Sequence, residues 1–202
     1  QHILDIAFKE FAQYGIRNTD MQHLAALSGI SIVTLYKYFD NKQALINASI
    51  QVESDAQYQE QAKLIQDMTI DFPSKLTHIF LLKNQHDKNI HPEFKEAIFK
   101  YITSTPEFKS MLYQQSDDLF HSFINQGRNE GYISTAISND TLSFVMAVFM
   151  EYISNHPDPQ HWQNTTMGDE LNALLYFGLL GSSDKLNSDQ LTAFKKNFIP
   201  LS

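Results

Sequence analysis

The chain has 202 residues, 43% of them hydrophobic and 19% charged, with a formal net charge of -8. That is enough length and apolar content for one domain or two small ones with a buried core, and it excludes a disordered chain. The absence of cysteine excludes disulfides, thiol nucleophiles and thiolate metal sites, and no apolar run reaches the roughly 18 residues of a membrane span.

In chain order, the opening "QHILDIAFKE" carries charges inside its apolar pattern. That is wrong for a secretory signal, and a cytoplasmic protein is expected. With 7 glycines, 6 prolines, apolar residues three or four apart over long stretches and no alternating β-branched run, the predicted fold class is all-α. Ile3, Ala7, Phe11 and Tyr14 share one face of a first helix that stops at Gly15. Thr19 or Asp20 caps a second helix carrying Met21, Leu24, Ala25 and Leu27 and ended by Gly29. Ser31 caps a third, very short helix reaching Phe39, and Asp40 or Asn41 caps a fourth that runs well past Val52. Longer helices are predicted from Pro73 to about Gln85, Pro92 to Thr103, Pro106 to about Glu130, Asp140 to Asn155, about Met167 to Leu180, and Ser188 to Phe198. Prolines 73, 92 and 106 sit where first-turn prolines belong. The turn-rich stretches 155–166 and 181–189 read as loops.

The stretch "SGISIVTLYKYFDNKQAL", residues 28–45, joins two short helices by a tight glycine turn. That is the helix-turn-helix arrangement, whose second helix enters the DNA major groove. At about 100° per residue, Ile32, Leu35 and Phe39 face the core. Val33, Thr34, Lys37 and Tyr38 fall on the opposite face, with Tyr36 at its border. Hydroxyls, phenols and an ammonium donate to phosphate oxygens and base edges, and Val33 can touch a thymine methyl. Lys42 lies in the first turn of the next helix, where backbone N–H groups already favour a phosphate. The pattern alone is equally compatible with a short amphipathic helix in a bundle.

Residues 3–45 resemble the DNA-binding domain of the TetR family of bacterial transcriptional regulators. The resemblance is carried by Ile3, Leu4, Ala7, Phe11 and Gly15, then by Thr19 and the run Thr34-Leu35-Tyr36-Lys37-Tyr38-Phe39 followed by Lys42. It implies an N-terminal three-helix helix-turn-helix domain, residues 1–50, and a C-terminal helical bundle for ligand binding and dimerisation, residues 51–202. It further implies phosphate approach by Thr19 and Ser31, backbone and base contacts by Thr34, Tyr36 and Tyr38, groove-facing Val33 and Lys37, and a phosphate-binding Lys42. Val33 stands where the family often has glycine, which leaves less room for close approach to DNA. The basic arm that commonly precedes the first helix is expected upstream of Gln1.

Within residues 1–50 the cations Lys9, Arg17, Lys37 and Lys42 balance the anions Asp5, Glu10, Asp20 and Asp40, so all excess negative charge follows residue 50. Such a chain suits local phosphate contacts on a head whose body does other work. The segments 139–154 and 170–181 are apolar nearly all round and must be covered on more than one side. They fit the place of the family's dimer-forming helices, with Phe149, Tyr152, Leu174, Phe177 and Gly178 at the interface; central helices of a monomeric bundle are the alternative. Phe99, Met111, Phe120, Phe123, Met146 and Met150 form either an apolar ligand pocket or ordinary core. Few cations interrupt these stretches, so a hydrophobic or cationic effector is expected rather than a polyanion.

The 8 histidines, among them His78, His86, His91, His156 and His161, form no one-turn pair of the kind a helical zinc site uses. They read as surface or capping residues, and no metal is expected. No glycine-rich phosphate loop, nucleophile elbow or recognisable carboxylate pair is present, so neither a cofactor nor an enzyme is expected. The partners expected are a double-stranded DNA operator, a small-molecule effector and a second copy of the chain, with no membrane. The functional expectation is a DNA-binding regulator, a repressor released by its effector. The alternative is a helical small-molecule or lipid-binding protein without sequence-specific DNA binding.

Overall fold

The computed structural model describes residues 1–75, 78 and 90–155. The helices expected after residue 155, and most of the one expected from Pro73, lie outside the described residues. Every regular element among the described residues is helical: α1 His2–Tyr14, α2 Met21–Leu27, α3 Ile32–Tyr38, α4 Lys42–Gln66, α5 Pro92–Ser104, α6 Pro106–Asn129 and α7 Asn139–Asn155. The chain divides into two compact units, Gln1–Ala62 with Leu82–Leu112, and Lys63–Leu81 with Tyr113–Ser202.

In the first unit the i, i+4 spacing of Ala7 and Phe11 buries one face of α1, and both side chains are fully covered. Gly15 ends α1 at φ 81°, ψ 169°, a conformation essentially reserved for glycine. Asp20, and not Thr19, caps α2: its carboxylate accepts from the His23 N–H at 2.7 Å. Gly29 at φ 68° turns the chain toward α3, with Gly29 and Ile30 N–H groups satisfying the Ala26 and Ala25 carbonyls. Ser31 caps α3 by accepting from the Thr34 N–H at 3.0 Å. Asn41 caps α4, accepting from the Ala44 N–H at 2.9 Å.

Leu24, Leu35, Leu45, Ile46 and Ile50 close around Ala7 and Phe11, and Phe94 and Phe108 of α5 and α6 complete the same core. Each of these leucine, isoleucine and phenylalanine side chains contributes about 1.5–3 kcal/mol of burial. Phe94 packs its ring 5.1 Å from Phe8 and 5.6 Å from Phe11. The first turn of α5 is therefore part of the unit that holds the three short helices. Leu27, expected on the apolar face of α2, is 47% exposed.

The second unit is built around Phe72, stacked on Phe123 at 4.4 Å and on Tyr132 at 5.7 Å. Ile124, Ile133 and Leu142 are buried. Gly127 lies within α6 because the backbone must approach Phe72: a Cβ there would meet its ring at 2.7 Å and Ile133 at 2.8 Å. The helix ends with the Tyr132 N–H on the Gly127 carbonyl and the Gly131 N–H on that of Arg128, the Schellman pattern. Arg128 then ties down the next loop, donating to the Ile137 carbonyl and the Asn139 side chain.

Candidate nucleic-acid interface

The three-residue turn Ser28–Ile30 sets α3 beside α2, and the cap at Ser31 fixes where α3 begins. Leu35 is fully buried, and Ile32 and Phe39 pack half-buried on the same core. The opposite face leaves Val33 76% and Tyr38 73% exposed, with Tyr36 at 49%. Lys37 is exposed beside them and Thr34 is half-buried. The face expected from helical periodicity is thus the face observed. Thr34 Oγ1 lies 2.8 Å from Ser31 Oγ, which fixes both hydroxyls at the start of the helix.

Two residues of the expected DNA-contacting set have other partners. Thr19 is buried, and its hydroxyl donates to the Gly15 carbonyl at 2.9 Å. This internal bond holds the α1–α2 loop and leaves the hydroxyl covered. Lys42 is half-buried, and its ammonium donates to the Ile16 carbonyl of that loop. This bond uses one of three ammonium protons and aims the group; the others remain available to an anion.

The same loop is engaged by α5. The Glu93 carboxylate accepts from the Arg17 backbone N–H at 3.1 Å and from its guanidinium Nε at 2.9 Å. Donation from the Arg17 N–H, more than its positive charge, holds the Glu93 carboxyl below the usual range. His91, an isolated histidine read as surface or capping, caps α5 by accepting from the Glu93 N–H at 3.3 Å. Its own N–H donates to the Ala12 carbonyl at 2.6 Å. The sequence marks Glu93 only as an acidic first-turn residue; nothing in it points to a partner 76 positions away.

The aromatic and methionine residues do not form one described cluster. Met111 packs on the core of the first unit, whereas Phe123 stacks on Phe72 in the second. Phe99 and Phe120 are half-buried. Tyr152 is 46% exposed on α7, as are Phe144 at 69% and Val148 at 50%. The side chains of Met146, Phe149 and Met150, and all of Leu174, Phe177 and Gly178, lie outside the described residues. Among the described residues no group of His, Asp and Glu could hold a metal ion, and no helix is long and apolar enough to cross a membrane.

Lys75 went unnoticed in the sequence, where a lysine two residues after a proline reads as a solvated helix position. It is fully buried, donating to the Ile65 carbonyl at 2.6 Å and to Gln126 Oε1 at 2.5 Å. Gln126 in turn donates to the Ile70 carbonyl and to Glu130. Burial pushes the Lys75 ammonium below the ordinary lysine range, against the pull of Asp67 and Glu130.

A capped short helix with a polar, aromatic outward face, set by a glycine turn against its predecessor, is the helix-turn-helix arrangement that DNA-binding domains use. Residues 3–49 match the family described as bacterial regulatory proteins, tetR family. A transcriptional regulator from Cytophaga hutchinsonii shares the fold at TM-score 0.56 and 19% identity, over 97% of this chain and 90% of that one. A γ-butyrolactone receptor matches at TM-score 0.59 and 12% identity, over 97% and 94%. A protein from Saccharomonospora viridis, described as a transcriptional regulator in complex with choline, matches at TM-score 0.57 and 14% identity, over 89% and 96%. No curated protein sequence matches the chain.

Proposed function

We propose that the protein is a cytoplasmic, homodimeric repressor that reads a DNA operator with α3 and leaves it when a small hydrophobic or cationic effector binds. The observation carrying this reading is the exposed face Val33, Tyr36, Lys37 and Tyr38 on a helix fixed by Ser31 and Leu35. In this reading Tyr36, Tyr38, Thr34 and Ser31 meet the phosphate backbone, Val33 and Lys37 face base edges, and Lys42 binds a phosphate with its remaining protons. Residues 1–50 are the DNA-reading head and 51–202 the body. Dimerisation follows from geometry, because one short helix reads too few base pairs for useful specificity.

The dimer surface is assigned to α7 and the last apolar segment, through Phe149, Tyr152, Leu174, Phe177 and Gly178. The effector is assigned to the body, residues 51–202. Choline is a small cation and a γ-butyrolactone a small neutral ring, so both proposed effector chemistries have a counterpart in proteins of like fold. The effector releases DNA only as far as it prefers the non-binding state. No catalytic step and no cofactor enter this account.

The roles separate by substitution. Lys42→Ala should weaken binding to every duplex and reduce the slope of log affinity against log salt by about 0.9, one phosphate contact. Lys37→Ala should leave that slope nearly intact and relax sequence preference by about 1–3 kcal/mol at one base step. Fluorescence anisotropy with a panel of single-base operator variants at two salt concentrations measures both. Equal effects of the two substitutions would contradict the assignment.

A further inference from the structure

Three consecutive residues of the α1–α2 loop are each bonded to a different helix start. The Gly15 carbonyl accepts the hydroxyl of Thr19, immediately before the Asp20 cap of α2. The Ile16 carbonyl accepts the ammonium of Lys42, the first residue of α4. The Arg17 N–H donates to Glu93 in the first turn of α5. All of these residues lie in the first compact unit.

We propose that Glu93 is a positioning residue for DNA recognition: by holding the loop Gly15–Arg17 it fixes the starts of α2 and α4, and so the α3 set between them. Resting on the DNA-reading function proposed above, this assigns a part in recognition to a helix that presents no group to the duplex. The linkage is short. Only residues 39–41 separate α3 from α4, and only residues 28–31 separate it from α2, so neither flank can shift without carrying α3 along.

The loop is built for close approach by α5. A Cβ on Gly15 would lie 2.6 Å from the His91 ring and 3.0 Å from the Glu93 carboxylate. Of the two bonds its carboxylate makes to Arg17, the one to the backbone N–H dominates. The guanidinium it also touches is 89% exposed, where ion pairs are weak, whereas a carboxylate on a backbone N–H is a charge-assisted bond with a fixed geometry. The Phe94 ring between Phe8 and Phe11 keeps Glu93 in place through the core.

The test uses the full chain and the variants Glu93→Ala, Glu93→Gln and Arg17→Ala. Amide hydrogen exchange without DNA should quicken about tenfold in Glu93→Ala at residues 19–24 and 42–46, beyond the loop itself, with residues 113–130 unchanged. Glu93→Gln keeps an oxygen for the Arg17 N–H and should restore most of the protection, and Arg17→Ala, which keeps that N–H, should stay near wild type. Operator affinity of Glu93→Ala should fall about tenfold, as expected if the binding-competent arrangement drops to about a tenth of the population. Its salt slope should not change, since no phosphate contact is lost.

Exchange changes confined to residues 15–18 and 91–95 would overturn the proposal, as would quickening spread evenly over all segments in both Glu93 variants. Unaltered operator affinity in a Glu93→Ala protein with quickened exchange would also overturn it. Failure of the wild type to bind DNA would instead defeat the proposed function, with the exchange pattern still deciding whether Glu93 holds the helix starts.

Discussion

Lys42 and Lys75 both donate to a backbone carbonyl, and their surroundings give them opposite tasks. Lys42 stands half-buried at a helix start, where the proposed function has it meet a phosphate. Lys75 is enclosed, with two neutral oxygens as its acceptors, and its proton is held less tightly than in water. The folded chain therefore gives up this proton at a lower pH than the unfolded chain does. Where the unfolded state binds more protons, stability rises with pH. Wild type should gain stability over Lys75→Met as pH rises from the lowered folded-state value to the ordinary lysine range, while the gap between the two should stay constant below the folded-state value. Urea denaturation of both proteins at pH 7 and pH 10 checks the sign; a wild type that loses ground as pH rises would contradict the burial account.

At the scale of elements, two glycines separate backbone conformation from packing. Gly15→Ala places a Cβ both at a positive φ and against the His91 ring, and should cost about 1–3 kcal/mol from backbone strain alone. Gly127→Ala gains about 1 kcal/mol of helix propensity but drives a methyl into Phe72 and Ile133, an overpacking cost of about 1–3 kcal/mol. It should be neutral to moderately destabilising, and thermal unfolding of the two variants should rank Gly15→Ala as the worse. The helices among the described residues were legible in the sequence, because caps such as Ser31 and breakers such as Gly15 act over a few residues. The outward face of α3 was legible for the same reason, since one buried Leu35 orients the whole turn. The internal partner of Thr19 was not legible, because a threonine before a helix looks the same whether or not its hydroxyl is bonded to the Gly15 carbonyl. Glu93 and Lys75 were not legible at all: their partners are set by packing between segments far apart in the chain.

For the whole molecule, charge and geometry point the same way. Within residues 1–50 cations and anions are equal in number and all excess negative charge follows, so in the proposed reading these residues hold DNA through a few placed contacts more than by general attraction. Such a molecule should show a modest salt slope and a large difference between its operator and other duplexes. The decisive measurement is binding of the full-length protein to the DNA flanking its own gene and to an unrelated duplex of equal length, each at two salt concentrations. The account predicts an affinity ratio of about a thousand or more that survives the higher salt. Equal, weak and steeply salt-sensitive binding to both duplexes, or none to either, would contradict it.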